Sequence, residues 1–422
     1  MPEQRAAQHA LPHAVFLDRL TQESEHSAAA WLGQGAFLAL RLVDLLAVDR
    51  EPVTTDAFRY QYAATERFCR DLRRGSAEEA HIKGLVQSAA DAHHRGDVRL
   101  VTPALLAYAL FLEDDARYEE AWDTLDTLLH VGGDGLRLAD AVAVRLRLAR
   151  VSRKLARFEE AETQYAQAGE LAAAASDGHS VLLSRIGHAI SVQSRGSLAE
   201  AERLFRDALA DARGWGERDP EARAEHALAT TLYLRGQPAE AIPHAWRAFE
   251  LYEDESPRLR ALNDVGIMLL AIGDADGAER ALTEVVRRCA AGDNVHNAMT
   301  ELMHCASYRR DRVGFERWRA ECESHFDRMA PNIAVDFLLK AGIGRARFGR
   351  LQAAEELMTK GLSLATKHGL HEFEFRVERI KNGLRECRGQ LTPLPAEPAE
   401  PVTSEQLRGV QASLNELATA GA

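Results

Sequence analysis

Aromatic residues are scarce in this 422-residue chain, at 6%. That scarcity speaks against a β-sandwich or barrel, whose strands draw on aromatic and β-branched side chains. Cysteine is scarcer still. The five present, Cys69, Cys289, Cys305, Cys322 and Cys387, are odd in number, scattered and nowhere spaced as CxxC; no disulfide framework follows, and a reducing compartment fits. No stretch is both long and free of charge. The nearest, residues 28–48 (AAAWLGQGAFLALRLVDLLAV), contains Arg41 and Asp44, three apart on one helix face and costly at mid-bilayer. It reads as a buried helix, not a membrane span, with Gly33 and Gly35 as close-packing positions. The opening Met1-Pro2-Glu3-Gln4-Arg5 lacks the apolar core of a signal peptide, so a cytoplasmic location is expected. Positive charge is in the minority, 52 basic against 64 acidic residues for a net −12, which disfavours direct binding of nucleic acid.

Catalytic signatures are missing as well. There is no Walker loop, GxSxG, HExxH or strand-borne GxGxxG. Among 16 histidines, His296, His304 and His325 lie near Cys305 and Cys322 in sequence, but their spacing matches no closed zinc motif. Adjacent His304 and Cys305 point about 100° apart on a helix. No enzyme activity, metal or cofactor is expected.

What the chain does have is repetition. The segments ARYEEAWDTLDTLL from Ala116, ARFEEAETQYAQAG from Ala156, GSLAEAERLFRDAL from Gly196, GQPAEAIPHAWRAF from Gly236 and GDADGAERALTEVV from Gly273 are each a short turn followed by an amphipathic helix. Their anchor alanines are Ala121, Ala161, Ala201, Ala241 and Ala278, spaced 40, 40, 40 and 37 residues. Weaker copies place Gly314 and Ala354 in the same slot, making seven. Twelve residues before the anchors stand Ala109, Ala149, Ala189, Ala229, Gly266 and Gly342, with Leu302 the exception. Four residues after them stand Leu125, Tyr165, Phe205, Ala245, Leu282, Trp318 and Met358. A small residue lets one helix approach the next, and a large one a turn later fills the hole beside it.

This alternation of small and large positions over residues 102–369 resembles the tetratricopeptide repeat, although the 40-residue step is longer than the usual 34. The resemblance implies an all-α fold: a right-handed α-α superhelical solenoid of about seven helix pairs. Three further helices, at about 27–48, 56–74 and 76–95, read as an N-terminal cap, with Pro52, Thr54 and Thr55 separating the first two. The expected organisation is an N-terminal segment 1–26, a bundle or divergent repeat 27–100, the solenoid 101–388, a Pro-rich linker 389–403 and an amphipathic helix 404–422. That last helix carries Leu407, Val410, Leu414 and Leu417 on one face. It reads as a tail folded back on the array, or as a helix offered to a partner or to the chain's own groove.

The resemblance also implies a concave groove lined by the first helix of each repeat. Counting from the anchors places Arg147, Arg150 and Arg153 on one stripe of the second repeat. The same count gives Arg223, His226, Thr230 and Tyr233 in the fourth, and Arg260 and Asn263 in the fifth. Basic and hydrogen-bonding groups on such a wall suit a protein or peptide partner, an acidic one included. The function expected is therefore an interaction scaffold or adaptor. The alternative is a peptide-controlled regulator, because three helices followed by seven repeats is similar to the layout of Rap-type peptide sensors. That likeness is architectural and carries no motif.

Overall fold

The computed structural model describes residues 11–18, 27–47, 51–72, 76–289, 292–368, 370–387 and 404–420. The expected linker 389–403 and most of the expected segment 1–26 lie outside them. Among the described residues there are 19 α-helices and no strand. The chain divides into two compact units, Met1–Ser197 and Leu198–Ala422.

The first unit opens on a 3₁₀ turn, Ala14–Leu17, followed by α1 (Ala28–Asp44), α2 (Pro52–Arg70) and α3 (Ala77–Arg95). Arg41 and Asp44 meet at 3.3 Å, as their spacing predicts. Pro52 does not separate α1 from α2 but opens α2: it occupies the first turn, behind a reciprocal Glu51–Thr54 capping box, where its missing N–H costs nothing. The three helices pack together, α3 continues onto α4 (Thr102–Asp114), and α1 reaches α5 (Tyr118–Gly132). One core runs from Phe16 through Leu40, Ile82 and Tyr108 to Leu148. After α5 come α6 (Leu138–Lys154), α7 (Phe158–Ala174) and α8 (Gly178–Ser194).

The second unit holds α9 (Leu198–Trp215), α10 (Arg218–Leu234), α11 (Pro238–Leu251), α12 (Glu255–Ala271), α13 (Ala275–Arg288), α14 (Asp293–Tyr308), α15 (Arg312–His325), α16 (Pro331–Arg347), α17 (Leu351–Lys367), α18 (His371–Cys387) and α19 (Glu405–Ala420).

A single turn design builds the hairpins. The first residue of each repeated segment, Ala116, Ala156, Gly196, Gly236, Gly273, Arg310 or Gly349, has positive φ. The following N–H reaches back five residues, as from Arg157 to the Ser152 carbonyl at 2.8 Å and from Gln237 to Leu232 at 2.9 Å. This left-handed stop satisfies the last carbonyls of one helix and turns the chain into the next.

The small positions lie where helices touch. Ala121, Ala161, Ala201, Ala241, Ala278 and Ala354 have no exposed surface. Ala149, Ala161 and Tyr165 form one buried cluster. A Cβ built on Gly266 would fall 2.7 Å from Leu282, and one on Gly342 would fall 3.1 Å from Met358, so the residue twelve before the anchor opposes the residue four after it. The sixth copy departs from the pattern. Trp318 is only half-buried there, and Phe315 fills the interior, its ring 2.2 Å from where a Gly344 Cβ would stand.

Candidate binding surface on the inner helices

Consecutive helices pack from α1 to α8 in the first unit and from α9 to α18 in the second, and alternate helices also meet. In the first unit α4 touches α6 and α6 touches α8; in the second α10, α12, α14, α16 and α18 touch in order. The intervening α5 and α7 join each other through long side chains, Trp122 to Glu160 at 2.6 Å and Arg157 to Glu119 at 2.6 Å. The closer row is the inner side of each stack, and its helices carry every candidate groove residue.

In the first unit the arginine stripe is engaged by an acid on the neighbouring helix. Arg150 Nε donates to Glu113 Oε2 at 2.8 Å, and Arg147 lies 3.6 Å from the other oxygen. Two guanidiniums thus share one buried carboxylate, while Arg150 keeps 48% of its side chain exposed. Arg153 bonds the Tyr165 hydroxyl, whose pKa burial raises.

In the second unit Arg223 is exposed and bonds Asp219 at 2.7 Å, one turn back on α10. His226 does not project outward as counted. It is 8% exposed and lies in the seam between α10 and α12, its Nε2 2.8 Å from Asp264 and its Nδ1 3.3 Å from the Tyr252 hydroxyl. Asn263 is likewise buried, at 4%. Both stand fifteen residues before their anchors, a register that falls between adjacent inner helices once these lie side by side. Yet Asn263 Oδ1 has no hydrogen-bond partner. Arg260, one turn earlier, is exposed and interacts with Tyr252. Tyr233 is half-buried, and burial raises its pKa, with Glu301 raising it further.

Sequence reasoning stopped at the fifth repeat and missed the most heavily charged part of this wall. Lys340 on α16, 7% exposed, bonds both Glu301 on α14 and Asp336 on its own helix. Arg376 on α18 reaches Asp336 at 3.4 Å. Burial pushes Glu301 upward; it would lower Lys340, but Asp336 and Glu301 raise that ammonium above its ordinary value. Burial also drives His304 well below the usual imidazole range, helped by Lys340. The signal was available: eighteen before the anchor gives Arg223, Arg260 and, in the seventh copy, Asp336; fourteen before gives Arg147, Asp264 and Lys340.

Among the described residues no three His, Cys, Asp or Glu side chains are grouped to hold a metal ion. Burial pushes the Cys305 and Cys322 thiols up to about 12, far from the thiolate a nucleophile needs. No helix among the described residues is long and apolar enough to cross a membrane.

Residues 180–254 match the family model for the tetratricopeptide repeat. These are tetratricopeptide repeats. None of the curated proteins matches the chain by sequence. Among solved structures, the apo form of the quorum sensor NprR from B. thuringiensis is similar over 82% of this chain and 91% of its own, at 11% identity and a TM-score of 0.52. The Rap conjugation gene regulator of the plasmid pLS20, solved in complex with the Phr* peptide, is similar over 85% and 98%, at 12% identity and a TM-score of 0.50. At such identities the likeness is one of fold, and the tetratricopeptide-repeat reading of the sequence agrees with it.

Proposed function

We propose that this tetratricopeptide-repeat protein is a non-enzymatic binder that takes an extended peptide, or a segment of a partner protein, along the inner helices of its second unit. The observation that carries the reading is Asn263 Oδ1, a buried acceptor without a hydrogen-bond partner on an inner helix of the second unit, where Arg258 Nε and the Nδ1 atoms of His296 and His304 are unpaired as well. A buried, unanswered acceptor is costly, and a peptide N–H would answer it. Arg260, exposed one turn away, supplies a carboxylate-binding fork beside it. In the first unit, taken by itself, Arg147, Arg150 and Arg153 form a basic stripe on which an acidic ligand would compete with Glu113. Peptide-controlled regulation is the second form of the same reading. It is favoured by a fold shared with a quorum sensor and with a regulator that was solved holding a peptide.

The test is a display selection of random peptides on the wild-type chain, followed by titration of the enriched sequences against Asn263→Ala and Arg260→Glu. Affinity should fall at least about tenfold for Asn263→Ala, as expected when a buried hydrogen bond is lost. Peptides that bind both variants as tightly as wild type would place binding elsewhere.

A further inference from the structure

The C-terminal helix does not lie on the inner wall. It packs against α11 and α13, the second helices of the fourth and fifth repeats, on the opposite side of the second unit. Leu407, Val410 and Leu414 are all but completely buried there; they are spaced three and four apart, so one face of α19 is inserted and the other is left polar. Its start is fixed locally, with the Leu407 N–H donating to Ser404 Oγ at 3.1 Å. A side-chain bond ties it to the repeats: Gln411 Nε2 donates to Asp274 Oδ2 at 2.7 Å. The other oxygen of Asp274 caps α13 by accepting from the Gly277 N–H at 2.8 Å. The anchor point is therefore a rigid N-cap that exists whether or not α19 is docked.

We infer that the groove between α11 and α13 is a receptor for an amphipathic helix of a partner protein, and that α19 is its tethered occupant. The chemistry of the partner helix is read from α19 itself: aliphatic side chains at i, i+3 and i+7, and at i+4 a neutral donor that meets the free oxygen of Asp274. A carboxylate at that place would face Asp274 and be rejected. A 16-residue helix is marginal in water by itself. Its docking is thus coupled to its folding and is reversible. Attachment to the same chain gives α19 a local concentration of order millimolar, so it sets a threshold that a partner helix has to exceed. The site is separate from the inner wall, and its test does not depend on the peptide reading above.

The experiment uses the full-length chain and a fluorescent peptide of residues 404–420 as probe. In a Leu407→Asp/Leu414→Asp variant α19 leaves the groove, and the peptide should bind at least tenfold more tightly than it does to wild type. A peptide carrying Gln411→Glu should bind severalfold more weakly. Should the double variant lose its helical circular dichroism, the full-length Gln411→Glu chain serves instead; by weakening the cis contact alone it should admit the wild-type peptide severalfold better. No saturable binding to either ejected chain, or equal binding to wild type, overturns the proposal. So does a concentration-dependent wild-type dimer that both substitutions abolish, which would give the groove to α19 of a second copy.

Discussion

At the scale of single residues, backbone handedness and close approach decide which substitutions the fold tolerates. Ala156 occupies a left-handed turn position, φ 58°, that Gly236 fills two repeats later at φ 78°. Since a Cβ in that conformation costs about 1 kcal/mol, Ala156→Gly should raise the denaturation midpoint and Gly236→Ala should lower it by a similar amount in urea titrations. Gly187 is constrained differently. A Cβ there would lie 2.2 Å from the Tyr165 ring, so Gly187→Ala should destabilise by about 1–3 kcal/mol through overpacking. Exposed, helical Gly84 has nothing within 4 Å, and Gly84→Ala should stabilise by about 0.5–1 kcal/mol. Titration enters through His13, which bridges Asp123 at 2.6 Å and Asp44 at 3.0 Å. Burial would lower its pKa, but the hydrogen bonds and charges of Asp123 and Asp44 hold it at about 9. A histidine raised from 6.5 to about 9 stabilises the fold fully below pH 6.5 and loses that contribution as pH climbs through 9; the whole effect is at most about 3 kcal/mol. Thermal melts of wild type and His13→Gln should differ most near pH 6 and converge above about pH 9. A constant gap across that range would deny the charged bridge its role.

At the scale of helices, the buried ions tie three inner elements together. Glu301 belongs to α14, Asp336 and Lys340 to α16, and Arg376 to α18. Removing the central cation leaves two acids facing one another without compensation, which is more damaging than never having had the pair. Lys340→Met should therefore cost about 3–5 kcal/mol, while Lys340→Met with Glu301→Gln should recover much of that loss in calorimetry. Additive losses would contradict the network. The same elements show how far the sequence could be read. Helix pairing was legible because its causes are local and periodic: small anchors, large residues a turn later, and a short turn opening each segment; that the turns at Ala116, Ala156 and Arg310 are left-handed was not. Seam positions were not. Whether His226 and Asn263 face out or lie between neighbours depends on how closely α10, α12 and α14 approach, which no single helix encodes. The docking of α19 was half legible. Its apolar face announced a burial, but the choice of α11 and α13 rests on a groove that only packed repeats create.

At the scale of the molecule, the charge of −12 and the local wall pull in opposite directions on an acidic ligand. The net field slows its approach, but beyond about 8 Å at physiological ionic strength that field is screened. Contacts made at the wall are then felt almost alone. Salt thus separates the two: moderate salt speeds association by screening the net charge, whereas affinity falls as the arginine contacts weaken. Arg150→Glu is the less clean probe of those contacts, because it sets a second carboxylate against buried Glu113 and lowers stability along with affinity. Arg260→Glu sits on an exposed position and should weaken an acidic peptide by about 3- to 10-fold without moving the melt, in line with a surface charge contact. It should also flatten the salt dependence of what remains. Titrations between about 0.1 and 0.5 M salt would check this, and an affinity indifferent to both salt and Arg260→Glu would leave the inner wall's arginines with a structural role alone.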